Sequence, residues 1–268
     1  MTMANRNWVV GGASARGAAH QRRGTPNQDA IDWLPRQASE RRFVAAVSDG
    51  HGARVHVHSQ IGAQLAVESA AAVLDAFLAG DSSDAAARVL PRRTLGAWRD
   101  AVAHHVSARA GADEWIEPLA DKLVQYGATL IAIAASENVT VALQIGDGDL
   151  FLGYPDGRIE RPLSPDEGLI GEQTYSLCAP DALTHFRVAV LRDPAPMPDF
   201  AMLATDGVSK SFADETQFRK VVAHYRHAML TCDAAAVLAP LPDWLASVSQ
   251  RGTGDDVTLC LAARRSVQ

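Results

Sequence analysis

An aspartate stands at the end of several apolar runs in this sequence, usually beside a glycine. Asp49-Gly50 closes one run, and Asp206-Gly207 closes another. A single such pair normally marks a turn, because glycine adopts positive φ at little cost and aspartate tolerates tight backbone. Here the pattern recurs, and five strand ends or loops carry carboxylates: Asp29, Asp49, Asp147, Asp206, and Asp255 with Asp256. We expect these strand ends to meet at one rim of a layered core.

Crowded carboxylates raise one another's pKa unless a cation neutralises them. Mg²⁺ and Mn²⁺ are hard cations that take carboxylate, carbonyl and water oxygens as ligands. Gly50 has no side chain, so its carbonyl can approach such an ion and leave room for water or substrate. The pattern therefore predicts a divalent metal site. The alternative is five unrelated aspartates in solvated turns, and the sequence pattern leaves both interpretations open.

The elements that position these residues follow from the period of the apolar residues. Strand-like runs lie at 8–10, 43–47, 129–135, 139–145, 150–153, 186–191, 201–204 and 257–262, and helical patterns at 59–78, 94–110, 118–125, 215–230 and 234–249. Strands and helices come in separate groups, which favours α+β layers over an alternating parallel sheet. We predict one domain over residues 1–268.

Short turns predict how the strands pair. Ser136-Glu137-Asn138 and Gly146-Asp147-Gly148 each separate two apolar runs, which is typical of hairpins. Two successive antiparallel pairs are therefore expected. The proline-rich segment 191–200 joins two apolar runs and is expected to be an internal loop.

Composition narrows the class of protein. Of 268 residues, 47% are hydrophobic, and the net charge of -6 comes without a dense Lys/Arg block, so a globular fold is expected and nucleic-acid binding is disfavoured. Three scattered cysteines favour a reducing compartment and argue against a disulfide framework. The N-terminus fits neither a signal peptide nor a membrane span. We expect a cytoplasmic monomer that does not bind membranes.

Four segments follow one another in a recognisable order: VSDGHG, GATLIAIAASENVTVALQIGDGDLFL, LATDGVSKSF and GTGDDVTLCLA. Their order and approximate spacing resemble those of the metal-dependent serine/threonine protein phosphatases of type 2C. HQRRGTPNQDA lies where that family has an Arg-x-x-x-Glu-Asp-like segment, and its Gln-Asp-Ala resembles a bacterial branch. PLSPDEGLIGEQTYSLCAPDAL resembles the family's flap, at about residues 155–185, and the whole resemblance covers about residues 8–263.

The resemblance implies a four-layer α-β-β-α sandwich with two stacked antiparallel sheets. It also implies a centre of two Mn²⁺ or Mg²⁺ ions in a cleft at one end. Asp49 would bridge the ions, Gly50 would contribute its carbonyl oxygen, and Asp206 and Asp255 would hold the first ion. Asp29 would bind a metal ion through a water molecule, or would support the metal ligands without touching the ion. A water activated by the metals would attack the phosphorus of a phosphorylated protein in line with the leaving oxygen.

Further residues match family positions with less certain roles. His51 matches a position proposed as general acid in some relatives, although it could equally be a rim histidine without a catalytic role. Asp147 matches a position that holds a third, weaker metal in some members. Lys210 replaces the aspartate that accompanies this third metal, so Asp147 is expected to pair with Lys210 instead. Asp256 stands where the family usually has asparagine, and we interpret it as a supporting residue.

The phosphate-binding arginine of the family is missing. Gly24 stands near its position, and the nearest substitutes are Arg22, Arg23 and His20, of which a one-residue shift favours Arg23. Gln28 replaces the usual glutamate, and the loss of this negative charge would weaken the binding of the second metal ion.

Three other interpretations stay open. The missing arginine slightly favours a pseudophosphatase that binds phosphoproteins without turnover, whereas the retained Asp49, Asp206 and Asp255 oppose it. A small-molecule phosphatase is a further alternative, because substrate choice would lie in the flap and surface loops. His56 and His58 with His51 suggest zinc, but closed zinc sites need suitable further ligands, which favours a local surface feature.

Overall fold

Two five-stranded antiparallel sheets form the centre of the molecule. The computed structural model describes residues 6–36, 41–109, 119–164 and 174–266. Within these ranges the strands are β1 (Arg6–Ala15), β2 (Ala30–Leu34), β3 (Phe43–Ser48), β4 (Leu130–Ala135), β5 (Val139–Ile145), β6 (Asp149–Gly153), β7 (Ile159–Glu160), β8 (Arg187–Arg192), β9 (Phe200–Ala204) and β10 (Val257–Ser266). The first sheet has the order β1-β10-β9-β6-β7, and the second has the order β2-β3-β4-β5-β8.

Helices cover the outer face of each sheet. They are α1 (Ala18–Arg23), α2 (Ser59–Ala79), α3 (Asp84–Arg88), α4 (Leu90–Arg109), α5 (Leu119–Leu123), α6 (Asp206–Ser209), α7 (Glu215–Thr231), α8 (Ala234–Leu238) and α9 (Leu241–Arg251). Residues of α2 and α4 share a buried cluster with the second sheet, whereas residues of α7 and α9 share one with the first. By length and composition α2 could cross a membrane, but its buried side chains belong to this core.

The alternation of β3 shows how the layers form. Val44 and Ala46 face the helices of the second sheet, whereas Phe43, Ala45 and Val47 face the first sheet. Side chains that point in opposite directions along one strand are therefore both buried, which explains an unbroken apolar run. The middle cluster between the sheets confirms the predicted α-β-β-α sandwich.

Most predicted elements are confirmed, with a few differences. Each of the eight predicted strand runs overlaps a strand, and the hairpin at 136–138 joins β4 to β5. The helical pattern over 234–249 is predicted to be interrupted by Pro240 and Pro242, and this is confirmed, since α8 ends at Leu238 and α9 begins at Leu241. The short elements β2, β7, α1, α3 and α6 were not predicted. Ala110, Pro118 and residues 165–173 of the predicted flap lie outside the described residues.

The second predicted hairpin is wrong. Gly146-Asp147-Gly148 links β5 of the second sheet to β6 of the first, and β6 pairs with β9 and β7. Gly146 has a φ of 97°, and a Cβ on Gly148 would lie 2.7 Å from the Ala204 carbonyl oxygen. The turn is therefore as tight as a hairpin turn, but it connects strands of different sheets. Its residues cause the chain to reverse direction, but they do not determine which strand β6 pairs with. The loop over 191–200 likewise crosses between the sheets, from β8 to β9.

Candidate active site

Strand register brings the predicted acidic residues to one rim. Ala30 of β2 lies opposite Ser48 of β3, so Asp29 and Asp49 follow as the next positions beyond that pair. Leu259 of β10 lies opposite Ala204 of β9, which sets the loops with Asp206 and Asp255 side by side. We call Asp29, Asp49, Asp147, Asp206 and Asp255 the acidic rim. Asp29 and Asp49 adjoin the second sheet, Asp206 and Asp255 adjoin the first, and Asp147 lies in the turn that crosses between them.

Asp29 is a buried carboxylate that joins the two sheets. It is 8% exposed, and its Oδ2 accepts hydrogen bonds from the hydroxyls of Thr205 and Thr258, both at 2.7 Å. Burial raises the pKa of Asp29 well above its ordinary value, and the charges of Asp256 and Asp206 raise it further, against the effect of the two hydroxyls. The two threonines gave no signal in the sequence, because each lies in an apolar run and reads there as a strand residue.

Asp49 and Asp206 meet across the gap between the sheets. Burial raises the pKa of Asp49 well above its ordinary value, and Asp29, Asp206 and Asp255 raise it further. Burial also raises the pKa of Asp206, followed by the charge of Asp147. A hydrogen bond joins the carboxyl groups of Asp49 and Asp206. This crowding is the electrostatic situation that the sequence pattern predicts, and it favours binding of a cation.

The backbone at Gly50 has no room for a side chain. A Cβ there would lie 2.7 Å from the carbonyl oxygens of Gln28 and Ser59. The Gly50 N–H donates to the Gln28 carbonyl at 3.1 Å, and Gly50 forms a bridge with Ala128. Glycine is therefore required here by packing, in addition to its proposed role as a carbonyl ligand.

Lys210 inserts a cation into the acidic rim. Its Nζ lies 3.1 Å from Asp147 Oδ2 and forms a short ion pair with Asp206 Oδ2. The predicted pairing of Asp147 with Lys210 is confirmed, while the contact with Asp206 was not predicted. Asp147 Oδ1 also accepts a hydrogen bond from the hydroxyl of Thr174 at 3.1 Å. Although burial opposes ionisation of Asp147, Lys210 and Thr174 lower its pKa.

Asp256 anchors the segment that leads into the rim. Its carboxylate is 4% exposed and accepts hydrogen bonds from the backbone N–H groups of Gly17 at 2.5 Å and Gln28 at 2.6 Å. His20 Nδ1 lies 2.9 Å from Asp256 Oδ2, and His20 Nε2 lies 3.8 Å from Asp255 Oδ1. Asp256 therefore supports the site by fixing the course of the chain from α1 to β2.

The basic candidates for phosphate binding differ in their surroundings. Arg23 is exposed at the end of α1, and its guanidinium makes no ion pair or hydrogen bond within the described part of the chain. Gly24 has a φ of 73° and ends α1, and a Cβ there would meet nothing within 4 Å. His20 is held between Asp255 and Asp256, with a side chain that is 15% exposed. The structure brings His20 to the rim and leaves Arg23 in solvent.

His51 lies directly beyond the rim. Burial, followed by the nearby His56, lowers its pKa to about 4 against the charge of Asp147, so the imidazole is neutral at pH 7. The rings of His51 and His56 are 4.9 Å apart, and His56 Nδ1 lies 2.5 Å from the Val124 carbonyl oxygen. His58 instead packs against Tyr126. His51 and His56 thus lie together while His58 packs elsewhere, and no group of three metal-ligating side chains is found among the described residues, which does not support the zinc interpretation.

The acidic rim fits a hard divalent cation by its donor atoms. Its side chains offer only oxygen, and the pKa values of Asp29, Asp49 and Asp206 are raised by mutual repulsion and burial. The side chains are not already arranged around an ion, since the described residues contain no group of three or more His, Cys, Asp or Glu set for metal binding. In this arrangement the Lys210 ammonium and the hydrogen bond between Asp49 and Asp206 take up some of the oxygens.

Comparison with known proteins identifies the family of this chain. The model of the protein phosphatase 2C family matches residues 16–246. No curated protein matches the sequence. Similar folds include the serine/threonine phosphatase Stp1 from Staphylococcus aureus, with a TM-score of 0.62 and 15% identity over 98% of this chain and 95% of that one. The catalytic domain of the phosphatase PstP with two manganese ions has a TM-score of 0.57 and 20% identity over 97% of this chain and 100% of that one.

A third similar structure is PppA, a regulatory component of T6SS in Pseudomonas aeruginosa. Its TM-score is 0.59 and its identity 20%, over 97% of this chain and 100% of that one. At these identities the structures show a shared fold, whereas the family match extends over most of the sequence. This chain therefore belongs to the protein phosphatase 2C family and is a protein serine/threonine phosphatase.

Proposed function

We propose that this protein hydrolyses phosphoserine and phosphothreonine esters in proteins with the help of two Mn²⁺ or Mg²⁺ ions held at the acidic rim. Membership of the family supports a dependence on divalent metal. The observation that carries the proposal is the meeting of Asp49 and Asp206 from different sheets, with pKa values raised by burial and by neighbouring carboxylates. Such a cluster is unfavourable without a cation.

Four residues would hold the metals. They would be the carboxylates of Asp49, Asp206 and Asp255 and the carbonyl oxygen of Gly50. When bound, the metals would polarise the phosphoryl oxygens and lower the pKa of a water nucleophile. Asp29 would keep Thr205 and Thr258 in place behind these ligands, through its two hydrogen bonds of 2.7 Å.

Water is the proposed nucleophile, and Cys178 and Cys260 are poorly suited to attack phosphorus in its place. Burial raises the pKa of the Cys260 thiol to about 12, and burial also raises the pKa of Cys178. A thiol with a raised pKa forms little of the reactive thiolate at neutral pH. The ester P–O bond would break, and the leaving seryl or threonyl oxygen would take up a proton. His51, directly beyond the acidic rim, would exchange that proton, and its lowered pKa means that it would not hold a proton in advance at neutral pH.

The test is hydrolysis of phosphoserine and phosphothreonine peptides, an aryl phosphate and small metabolite-like phosphates by the purified protein. We expect turnover of phosphopeptides with added Mn²⁺ or Mg²⁺ and loss of turnover in EDTA, restored by excess metal. Full activity after exhaustive chelation contradicts the proposal. Phosphopeptide binding without turnover in any divalent metal contradicts it in favour of a binding module, and preference for small phosphates contradicts the proposed substrate class.

A further inference from the structure

Lys210 makes a contact inside the acidic rim that the proposed mechanism does not use. Its ammonium forms ion pairs with Asp206, next to the first sheet, and with Asp147, in the turn that crosses between the sheets. The side chain of Lys210 is 53% exposed, whereas that of Asp206 is 13% exposed and that of Asp147 is 31% exposed. One ammonium thus reaches from solvent to two carboxylates of the acidic rim.

The local structure holds Lys210 in this position. The short helix α6 begins at Asp206, and the Lys210 N–H donates to the Asp206 carbonyl at 2.8 Å. Side chains four residues apart lie on the same face of a helix, so the two charges meet without any long-range adjustment. Asp147 and Lys210 are 63 residues apart in sequence, and their contact at 3.1 Å closes the arrangement from the turn between β5 and β6.

The ammonium and a divalent ion require the same carboxylate. A lysine ammonium is charged at neutral pH, and this one pairs with both Asp206 and Asp147. An Asp206 oxygen that accepts from the ammonium is not free to bind a metal, and the positive charge also repels a cation. Both effects lower the affinity of Asp206 for a divalent metal ion.

We propose that Lys210 is a tethered cation that neutralises Asp206 when metal is absent and competes with divalent metal for that carboxylate. When metal binds, Lys210 releases Asp206 and remains paired with Asp147. Lys210 is thus a positioning residue that sets metal affinity. This inference depends on the proposed function, in which Asp206 is a metal ligand.

The experiment is calorimetric titration of the metal-free protein with Mn²⁺, compared with Lys210→Met and Lys210→Arg. Single exposed ion pairs shift equilibria by about two- to fivefold, and only the pair with Asp206 is lost when metal binds, so we expect Lys210→Met to bind Mn²⁺ about two- to fivefold more tightly. Lys210→Arg keeps the charge and should bind close to wild type. Lys220 is exposed on α7 with no ion pair among the described residues, and Lys220→Met is the matched control that should bind like wild type.

A second measurement follows thermal unfolding in EDTA, where only the neutralising role acts. Lys210→Met should lower Tm by about 2–4 °C in EDTA, because the carboxylates lose their counter-ion, and the loss should disappear in saturating Mn²⁺. If Lys210→Met and wild type bind Mn²⁺ equally and melt together in EDTA, the inference is wrong while the metal site stands. If neither protein binds Mn²⁺, the proposed metal site fails and the competition fails with it. If only Lys210→Met binds, the inference is supported in its strongest form.

Discussion

At the scale of single residues, Asp206 combines more contacts than any simple turn aspartate needs. It begins α6, shares a hydrogen bond with Asp49 and pairs with Lys210. We expect Asp206→Asn to lower phosphatase turnover by about 100-fold or more, because changes even to residues behind metal ligands cost about 10- to 100-fold. The amide keeps the shape of the side chain, so the fold should remain. Steady-state kinetics with saturating Mn²⁺ and circular dichroism measure the two outcomes.

Asp100→Asn is the matched control for this substitution. Asp100 is exposed on α4 and makes no ion pair within the described residues. Its substitution removes the same charge from the chain at a different place, so turnover should stay at the wild-type value. Equal loss of activity in both variants would show that net charge, rather than the rim, is being measured.

At the scale of elements, the loop after β3 depends on a glycine and α4 does not. A Cβ on Gly50 would lie 2.7 Å from two backbone carbonyl oxygens, whereas a Cβ on Gly96 inside α4 would meet nothing within 4 Å. We expect Gly50→Ala to destabilise the protein by about 1–3 kcal/mol through overpacking. Gly96→Ala should stabilise it by about 0.5–1 kcal/mol, because alanine restricts the unfolded chain and favours helix. Urea unfolding measures both, and the same sign in both variants would contradict the packing argument.

The segment from α1 to β2 is fixed by one side chain. Asp256 accepts from the N–H groups of Gly17 and Gln28, and both hydrogen bonds involve a buried carboxylate. Because each hydrogen bond to a charged group contributes about 1.5–3 kcal/mol, Asp256→Ala should destabilise by about 3 kcal/mol or more. Asp256→Asn keeps one acceptor oxygen and should lose less. Chemical unfolding compares the two, and equal losses would show that the carboxylate does not act through these acceptors.

The elements also show what could be predicted from the sequence. β3, β5 and α2 were predicted nearly to the residue, because their apolar patterns are long and uninterrupted. The pairing of β6 was predicted wrongly, since β5 and β6 are buried on both faces and either sheet could accept β6. At the rim, aspartates beside glycines at the ends of apolar runs indicated which carboxylates would form the site. The contact between Lys210 and Asp206 had a local signal that was missed, because the two residues are four apart in sequence at the start of α6.

At the scale of the whole molecule, the sheets are joined by a core that contains few aromatic residues. Trp8 of the first sheet and Phe43 of the second have ring centroids 4.5 Å apart, and both side chains are 1% exposed. We expect Phe43→Ala to destabilise by about 3–5 kcal/mol, as is usual when a buried aromatic ring is removed. Val190→Ala, on β8 at 37% exposure, should cost much less and is the control. Denaturant unfolding followed by Trp fluorescence measures the difference, and similar losses in the two variants would contradict the location of this core.

The crossing at Gly146-Asp147-Gly148 has a mechanical consequence. It ties the two sheets together covalently at the edge where Asp49, Asp206 and Asp147 lie. The sheets therefore cannot move apart at that edge unless the turn itself is displaced. A metal ion bound by both Asp49 and Asp206 would cross-link the two sheets at the same edge. We expect the backbone amides of β3 and β9 to exchange hydrogen together, as one cooperative unit, in the metal-loaded protein. Chelation would then loosen the sandwich from its rim inward, with the helices on its outer faces opening later.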